Sequence, residues 1–203
     1  MADITEYRGI RGLVAAEVTK DDDTEFTCGT PFAVAGVAEL SRTTETSSES
    51  HYYDNAPAIV IDSAGSDEVT INASVIPFDV LAKLTGQTYD ESKGMFVEGE
   101  PQSKYFAIGY VTEKTDGTEM FVWRLKGKFA IPDDTHTTKN DGTDASGQEL
   151  TYTGINTNHK FTIDGKEKTA KAVTVDTRKN PQVETDFFGK VQTPDTIKEP
   201  VSS

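Results

Sequence analysis

Residue types able to do chemistry are few in this chain, and their spacing does not gather them. The three histidines, His51, His136 and His159, are far apart, and each lies in a polar stretch. Imidazole works as a metal ligand or proton carrier only when partners converge on it, so solvated or loop histidines are the expectation. The single cysteine, Cys28, excludes an internal disulfide and leaves no zinc site built from four cysteines or from two cysteines and two histidines. It stands beside Gly29 with no fixed partner nearby, and reads as a small residue rather than an activated thiol. Asp21-Asp22-Asp23 reads as a solvated turn rather than an ion site. The run from Lys139 to Glu149 has the outline of a calcium loop. With Gly142 in the sixth position, however, Thr137, Lys139 and Gln148 fall in the first, third and twelfth, where the motif wants carboxylates. Asn72-Ala73-Ser74 matches a glycosylation acceptor but falls inside a predicted strand. No Gly-x-Ser-x-Gly elbow, P-loop or dinucleotide fingerprint occurs. The sequence therefore predicts no enzyme, no cofactor and no metal.

Composition narrows the class. The 203 residues fit one domain with extensions or a tight pair of domains, but apolar residues make up only 35%, so much of the chain must be loop, arm or two-faced sheet. The net charge of −14 disfavours a nucleic-acid binder, whose affinity comes from clustered Lys and Arg. Residues 1–6 lack the basic and apolar regions of a signal peptide. No stretch approaches the roughly 18 apolar residues of a membrane helix. The expectation is a chain made and kept in the cytoplasm until it assembles.

The elements that would position any site are mostly strands. Residues 12–18 read as a first strand, with a turn at 20–23. Residues 32–40 alternate loosely, with Phe32, Val34, Ala38 and Leu40 on one face and Gly36 marking a bulge or close approach. Residues 41–50 have almost no apolar residue and read as the start of a long polar loop, about 41–57, ending in the aromatic pair Tyr52-Tyr53. Residues 58–62 read as a buried strand and 63–67 as a turn. Val69, Ile71, Ala73 and Val75 alternate with polar residues as a half-buried strand. Pro77 opens a helix whose apolar residues recur at helical spacing and which Gly86 closes, so that one short helix covers about 77–85.

Residues 95–97 are a short strand. The strongest pair is 104–113 and 119–130, joined by Asp116-Gly117. Phe121, Trp123, Leu125 and Phe129 share one parity of the second strand, and Tyr105, Ala107, Gly109 and Val111 one parity of the first. This hairpin is expected at the middle of the core. A second polar loop covers 132–149. Strands follow at 150–157, 160–163 and about 171–175, with a turn at Asp164-Gly165. Residues 178–203 are polar, and only Phe187-Phe188 and Val191 could anchor them. They read as a C-terminal arm beside a domain of residues 1–177.

This organisation resembles the major tail tube proteins of siphoviruses, the phages with long non-contractile tails, and of related prophages of Gram-positive bacteria. The likeness is carried by Gly12-Leu13-Val14-Ala15, the Gly29-Thr30-Pro31 turn, and the polar run reaching Tyr53-Asp54-Asn55-Ala56-Pro57. It continues with the strand entering Ile76-Pro77-Phe78-Asp79, then Leu84-Thr85-Gly86-Gln87-Thr88-Tyr89-Asp90, and finally Tyr105 to Tyr110 with Val122 to Phe129. It covers about residues 10–165.

The resemblance implies a β-sandwich or barrel-like subunit with a flanking helix. Such subunits form homo-hexameric rings that stack into a tube through which DNA passes without specific binding. It implies a place in the virion tail, and as partners further copies of the chain, the tape measure, the tail terminator and the distal tail protein, with no membrane. By position, the long loop and the arm would bridge neighbours, which makes Thr43, Thr44, Glu45, Ser48, Tyr52, Tyr53, Asp54, Phe187 and Phe188 the expected inter-subunit contacts. The other reading of these residues is a non-enzymatic β-sandwich module for surface or carbohydrate recognition, which would need exposed aromatic clusters beyond Tyr52-Tyr53.

Overall fold

A computed structural model of the chain describes residues 4–53, 56–102, 104–133 and 147–200; at 49, 51–53 and 56–62 it describes the backbone alone. The strands are β1 (Tyr7–Asp21), β2 (Phe26–Cys28), β3 (Phe32–Ala33), β4 (Val37–Tyr53) and β5 (Ala56–Ala73). Helix α1 (Phe78–Thr85) follows, then β6 (Thr88–Asp90), β7 (Met95–Val97), β8 (Phe106–Lys114) and β9 (Glu119–Phe129). The last are β10 (Gln148–Gly154), β11 (Phe161–Ile163), β12 (Lys166–Lys168) and β13 (Ala172–Asp176), before a 3-10 turn at Pro181–Thr185. Nine of these strands form one sheet in the order β2-β1-β8-β9-β10-β5-β4, with β3 added to β1 and β13 to β9. Every pairing is antiparallel. The mainly β, sandwich-like class expected from the sequence is what the chain adopts.

The β8–β9 hairpin lies at the centre of the sheet. Gly117 adopts a left-handed φ of 81° in its turn, and its N–H donates to the Lys114 carbonyl. Both faces of this hairpin are buried, and each carries its own core. On one face Phe106, Ile108, Tyr110 and Val122 meet Leu13 and Ala15 of β1, Val69, Ile71 and Ala73 of β5, and Leu150 and Tyr152 of β10. On the other, Ala107, Val111, Phe121, Trp123 and Leu125 meet Phe161, Val175 and Phe187. Phe129 is a correction to the expected parity. The register slips between Phe106↔Gly127 and Ile108↔Arg124, so β9 holds one extra residue there. That bulge turns the alternation over, and Phe129 joins Phe106 and Tyr152 in the first core instead of following Trp123.

Helix α1 covers the first core with Val80, Leu81 and Leu84. Its boundaries follow from local chemistry. Pro77 precedes the first turn, where a missing N–H costs nothing, and Gly86 ends the helix at φ 71° with its N–H on the Ala82 carbonyl. A Cβ at Gly86 would also lie 2.1 Å from the Gln102 carbonyl oxygen, so the site requires glycine on two counts.

Four further expectations change. Residues 41–50 are strand, the middle of β4, rather than loop: this Ser- and Thr-rich run pairs its backbone with β5, and Thr and Ser tolerate extended conformation well enough once a partner strand is present. Residues 63–67 are likewise strand within β5 rather than a turn. They contain a bulge, because Thr44 pairs with Asp67 but Thr46 with Ala64. The expected strand at 32–40 is broken: β3 ends at Ala33, and β4 begins only after Gly36, whose N–H binds the Ser74 hydroxyl.

The C-terminal stretch is the fourth correction. It is packed on its own subunit rather than extended as an arm. Phe187 is 2% exposed, and its carbonyl accepts the indole N–H of Trp123 at 2.9 Å. Phe188 lies against Phe121 and Trp123. The second polar loop falls largely on residues 134–146, outside the described residues.

Candidate assembly surface

The sheet is wide only up to Asp67. The β5–β10 pairing runs from Gln148↔Ala73 to Gly154↔Asp67 and stops. The β4–β5 pairing continues from Thr44↔Asp67 out to Tyr53↔Ala56. Residues 45–53 and 56–66 therefore leave the sheet as a two-stranded ribbon, roughly 30 Å long at 3.3–3.4 Å per residue. Its near half is polar and exposed: Glu45, Thr46, Ser47 and Ser48 face water, Ser47 and Ser63 share a hydrogen bond at 2.6 Å, and Ser66 donates to Glu45 at 2.9 Å.

At the root of the ribbon Asp67 is 4% exposed and surrounded by donors. One carboxylate oxygen accepts the Thr44 hydroxyl at 2.9 Å and the Lys171 ammonium at 3.3 Å. The other accepts Arg124 at 2.7 Å and lies 3.7 Å from Arg42. Arg42 also donates to Thr44, and Arg124 to the Tyr110 hydroxyl at 3.3 Å. Lys171 donates in addition to the carbonyl of Gly65, within the bulge. Burial alone pushes the Asp67 carboxyl upward. The Thr44 and Lys171 hydrogen bonds and the Arg124 and Lys171 charges outweigh it, and its pKa lies below the ordinary carboxylate value.

A second buried pair joins Lys126 of β9 to Asp21 at the end of β1. Asp21 also accepts the backbone N–H groups of Asn158 and His159. Here too burial raises the carboxyl pKa, the hydrogen bonds and Lys126 lower it by more, and the net shift is down. The expected solvated aspartate turn is thus corrected at Asp21, which is a structural anchor. Asp22 behaves as a turn residue: its carboxylate accepts the Thr24 side chain and backbone and the Glu25 N–H, which hold it at about 2.

The sequence-predicted contact residues divide. Thr43, Glu45 and Ser48 lie exposed on β4, with Thr43 opposite Glu68 and Ser48 opposite Asp62. Tyr52 and Tyr53 stand at the far end of the ribbon, paired with Pro57 and Ala56. Asp54 lies outside the described residues. Thr44, Phe187 and Phe188 differ: the first belongs to the Asp67 cluster and the other two to the second core, so all three have partners in their own subunit. The residues missed were Asp67, Arg124 and Lys171. An Asp in a strand opposite two cations far away in sequence gives no local signal.

The remaining chemical candidates are structural where they are described. His159 packs its ring on Phe161 at 5.0 Å. Burial, and then the Asp21 charge, push the Cys28 thiol up to about 12, far from a reactive thiolate. Among the described residues no group of three His, Cys, Asp or Glu side chains could hold a metal ion, and no helix is long and apolar enough to cross a membrane.

The fold is thus that of a β subunit whose longest hairpin projects past its own sheet. The family model described as phage tail tube protein matches residues 37–188, and the chain belongs to that family. The match takes in the ribbon, its root, the helix, the central β8–β9 hairpin and the Phe187-Phe188 anchor, and leaves out β1 to β3 with the core residues Leu13 and Ala15. It begins later than the resemblance read from the sequence and extends further toward the C-terminus. No curated protein sequence matches the chain. The family gives a structural tail tube role, a place in the virion tail, and assembly with further copies and with other tail proteins.

Proposed function

We propose that the chain is the major tail tube subunit of a siphovirus or related prophage. Copies close into hexameric rings, the rings stack into a non-contractile tube, and DNA is delivered to the host through the lumen. The observation that carries this reading is the ribbon. A two-stranded hairpin is marginal alone in water, and among the described residues β4 and β5 beyond Asp67 pair with each other alone. Its natural complement is a neighbouring subunit. A closed ring needs a heterologous interface in which one surface of a copy meets a different surface of the next, and a projecting ribbon supplies one half of such an interface. Ring closure would also cover the unpaired outer edge of β4, which otherwise invites uncontrolled strand pairing.

Thr43, Glu45, Ser48, Tyr52, Tyr53 and Asp54 are the contacts assigned to this interface. The tape measure, the tail terminator and the distal tail protein would be the other tail partners, with assembly in the host cytoplasm. The acidic balance suits a conduit, since carboxylates repel phosphate and leave the genome free to slide. Neutralising lumen carboxylates should slow ejection, and an unchanged ejection rate would count against this part.

Electron micrographs of the purified protein test the whole reading. Rings or tubes with six-fold averages are the expected result. A strictly monomeric protein that binds glycans would overturn it.

A further inference from the structure

We propose that the Asp67 cluster is an alignment device that fixes the angle at which the ribbon leaves the sheet, with Asp67 as its positioning residue. The consequence for tube formation rests on the assembly role proposed above; the geometry does not.

Among the described residues, β4 and β5 beyond Gly154↔Asp67 pair in the sheet with each other alone. Two-stranded ribbons twist more than wide sheets, and the bulge next to Asp67 adds a local kink at the point of departure. Left alone, that point would act as a hinge. It is instead tied from four parts of the chain: Arg42 and Thr44 on β4, Asp67 on β5, Arg124 on β9, and Lys171 just before β13. Lys171 ties the bulge to its root, because it holds the carbonyl of Gly65 within the bulge and the carboxylate of Asp67 beside it.

Each oxygen of the carboxylate has two donors close by, so the cluster has no vacancy that asks for a ligand. Buried ionic groups of this kind are a costly way to gain stability. Directional bonds do, however, specify one orientation where apolar side chains would slide. An arm that must meet the next subunit at a set angle needs that property.

The test uses the full chain in a Cys28→Ala background, with spin labels at Ser48→Cys on the ribbon and Asp164→Cys on the body, both exposed. Pulsed dipolar spectroscopy on the parent should give one narrow distance distribution. Asp67→Asn should at least double its width, while amide exchange in β8 and β9 stays unchanged. In the unlabelled chain the same substitution should raise the critical concentration for tubes at least tenfold. Lys171→Met, which removes the bonds to Gly65 and Asp67 but keeps Arg124 and Thr44 on the carboxylate, should broaden the distribution less, and it decides the matter if Asp67→Asn does not fold. Parental widths in the folded variants would overturn the alignment role. A parent that never forms tubes would sink the assembly reading, and the distance widths would still decide the alignment.

Discussion

Two hairpins of this molecule share a backbone pattern and differ in almost everything else. The β8–β9 pair is short, and its side chains are buried on both faces. The β4–β5 pair is about twice as long, and its described burial is confined to the root, at Asp67, Val69, Ile71 and Ala73. Antiparallel pairing joins the strands of both hairpins, and β8 and β9 pair on their outer edges as well, with β1, β10 and β13. It stabilises the first because two cores close over it. Among the described residues the second has no such cores beyond its root, and an isolated two-stranded hairpin is at best marginal in water. Strand formation and core formation are thus separate properties, and the ribbon has the first without the second.

The comparison breaks most visibly in the central hairpin. Trp123→Ala should remove about 3–5 kcal/mol, since Trp123 is wholly buried and its indole also ties down the C-terminal segment. The midpoint of urea unfolding should fall accordingly, and proteolysis after residue 178 should accelerate. Gly109→Val comes next. A Cβ there would lie 2.8 Å from the Phe188 ring and 2.9 Å from Val14, so overpacking should cost roughly 1–3 kcal/mol, read in the same titration.

A smaller effect comes from acid. Asp67 and Asp21 have depressed folded pKa values, so their contribution is complete above the unfolded value of 3.8 and is lost as pH falls through the folded values below it. Thermal midpoints should be flat from neutrality to about pH 5 and drop below about pH 4, with a shallower drop in Asp21→Asn. Least of all should follow from Glu119→Gln. It removes a two-pronged but exposed pair with Arg11, worth well under about 1 kcal/mol.

Much of the body is legible in the sequence because its signals are local. Pro77 and Gly86 bracket the helix, Asp116-Gly117 joins the central strands, and Val69 to Ala73 alternate as half-buried strands do. The ribbon is not legible as strand. Its Ser and Thr residues bury little, and the partner that holds them extended, β5, reads as a strand, a turn and a second strand. The bulge that moves Phe129 to the other core leaves no trace in residue types. The Asp67 and Asp21 anchors join positions tens of residues apart, and in the sequence they are indistinguishable from solvated charges. Phe187 and Phe188 are visible as the one apolar pair in a polar tail, but the Trp123 bond that fixes their side of the sheet is not.

On this reading the body folds alone and the ribbon serves assembly. Replacing residues 46–64 with Asn-Gly separates the two roles, with thermal melting and electron micrographs compared with those of the intact chain at equal concentration. The shortened chain should fold, melt within a few degrees of the parent and form no tubes. Tubes built by the shortened chain, or collapse of its melting transition, would contradict it.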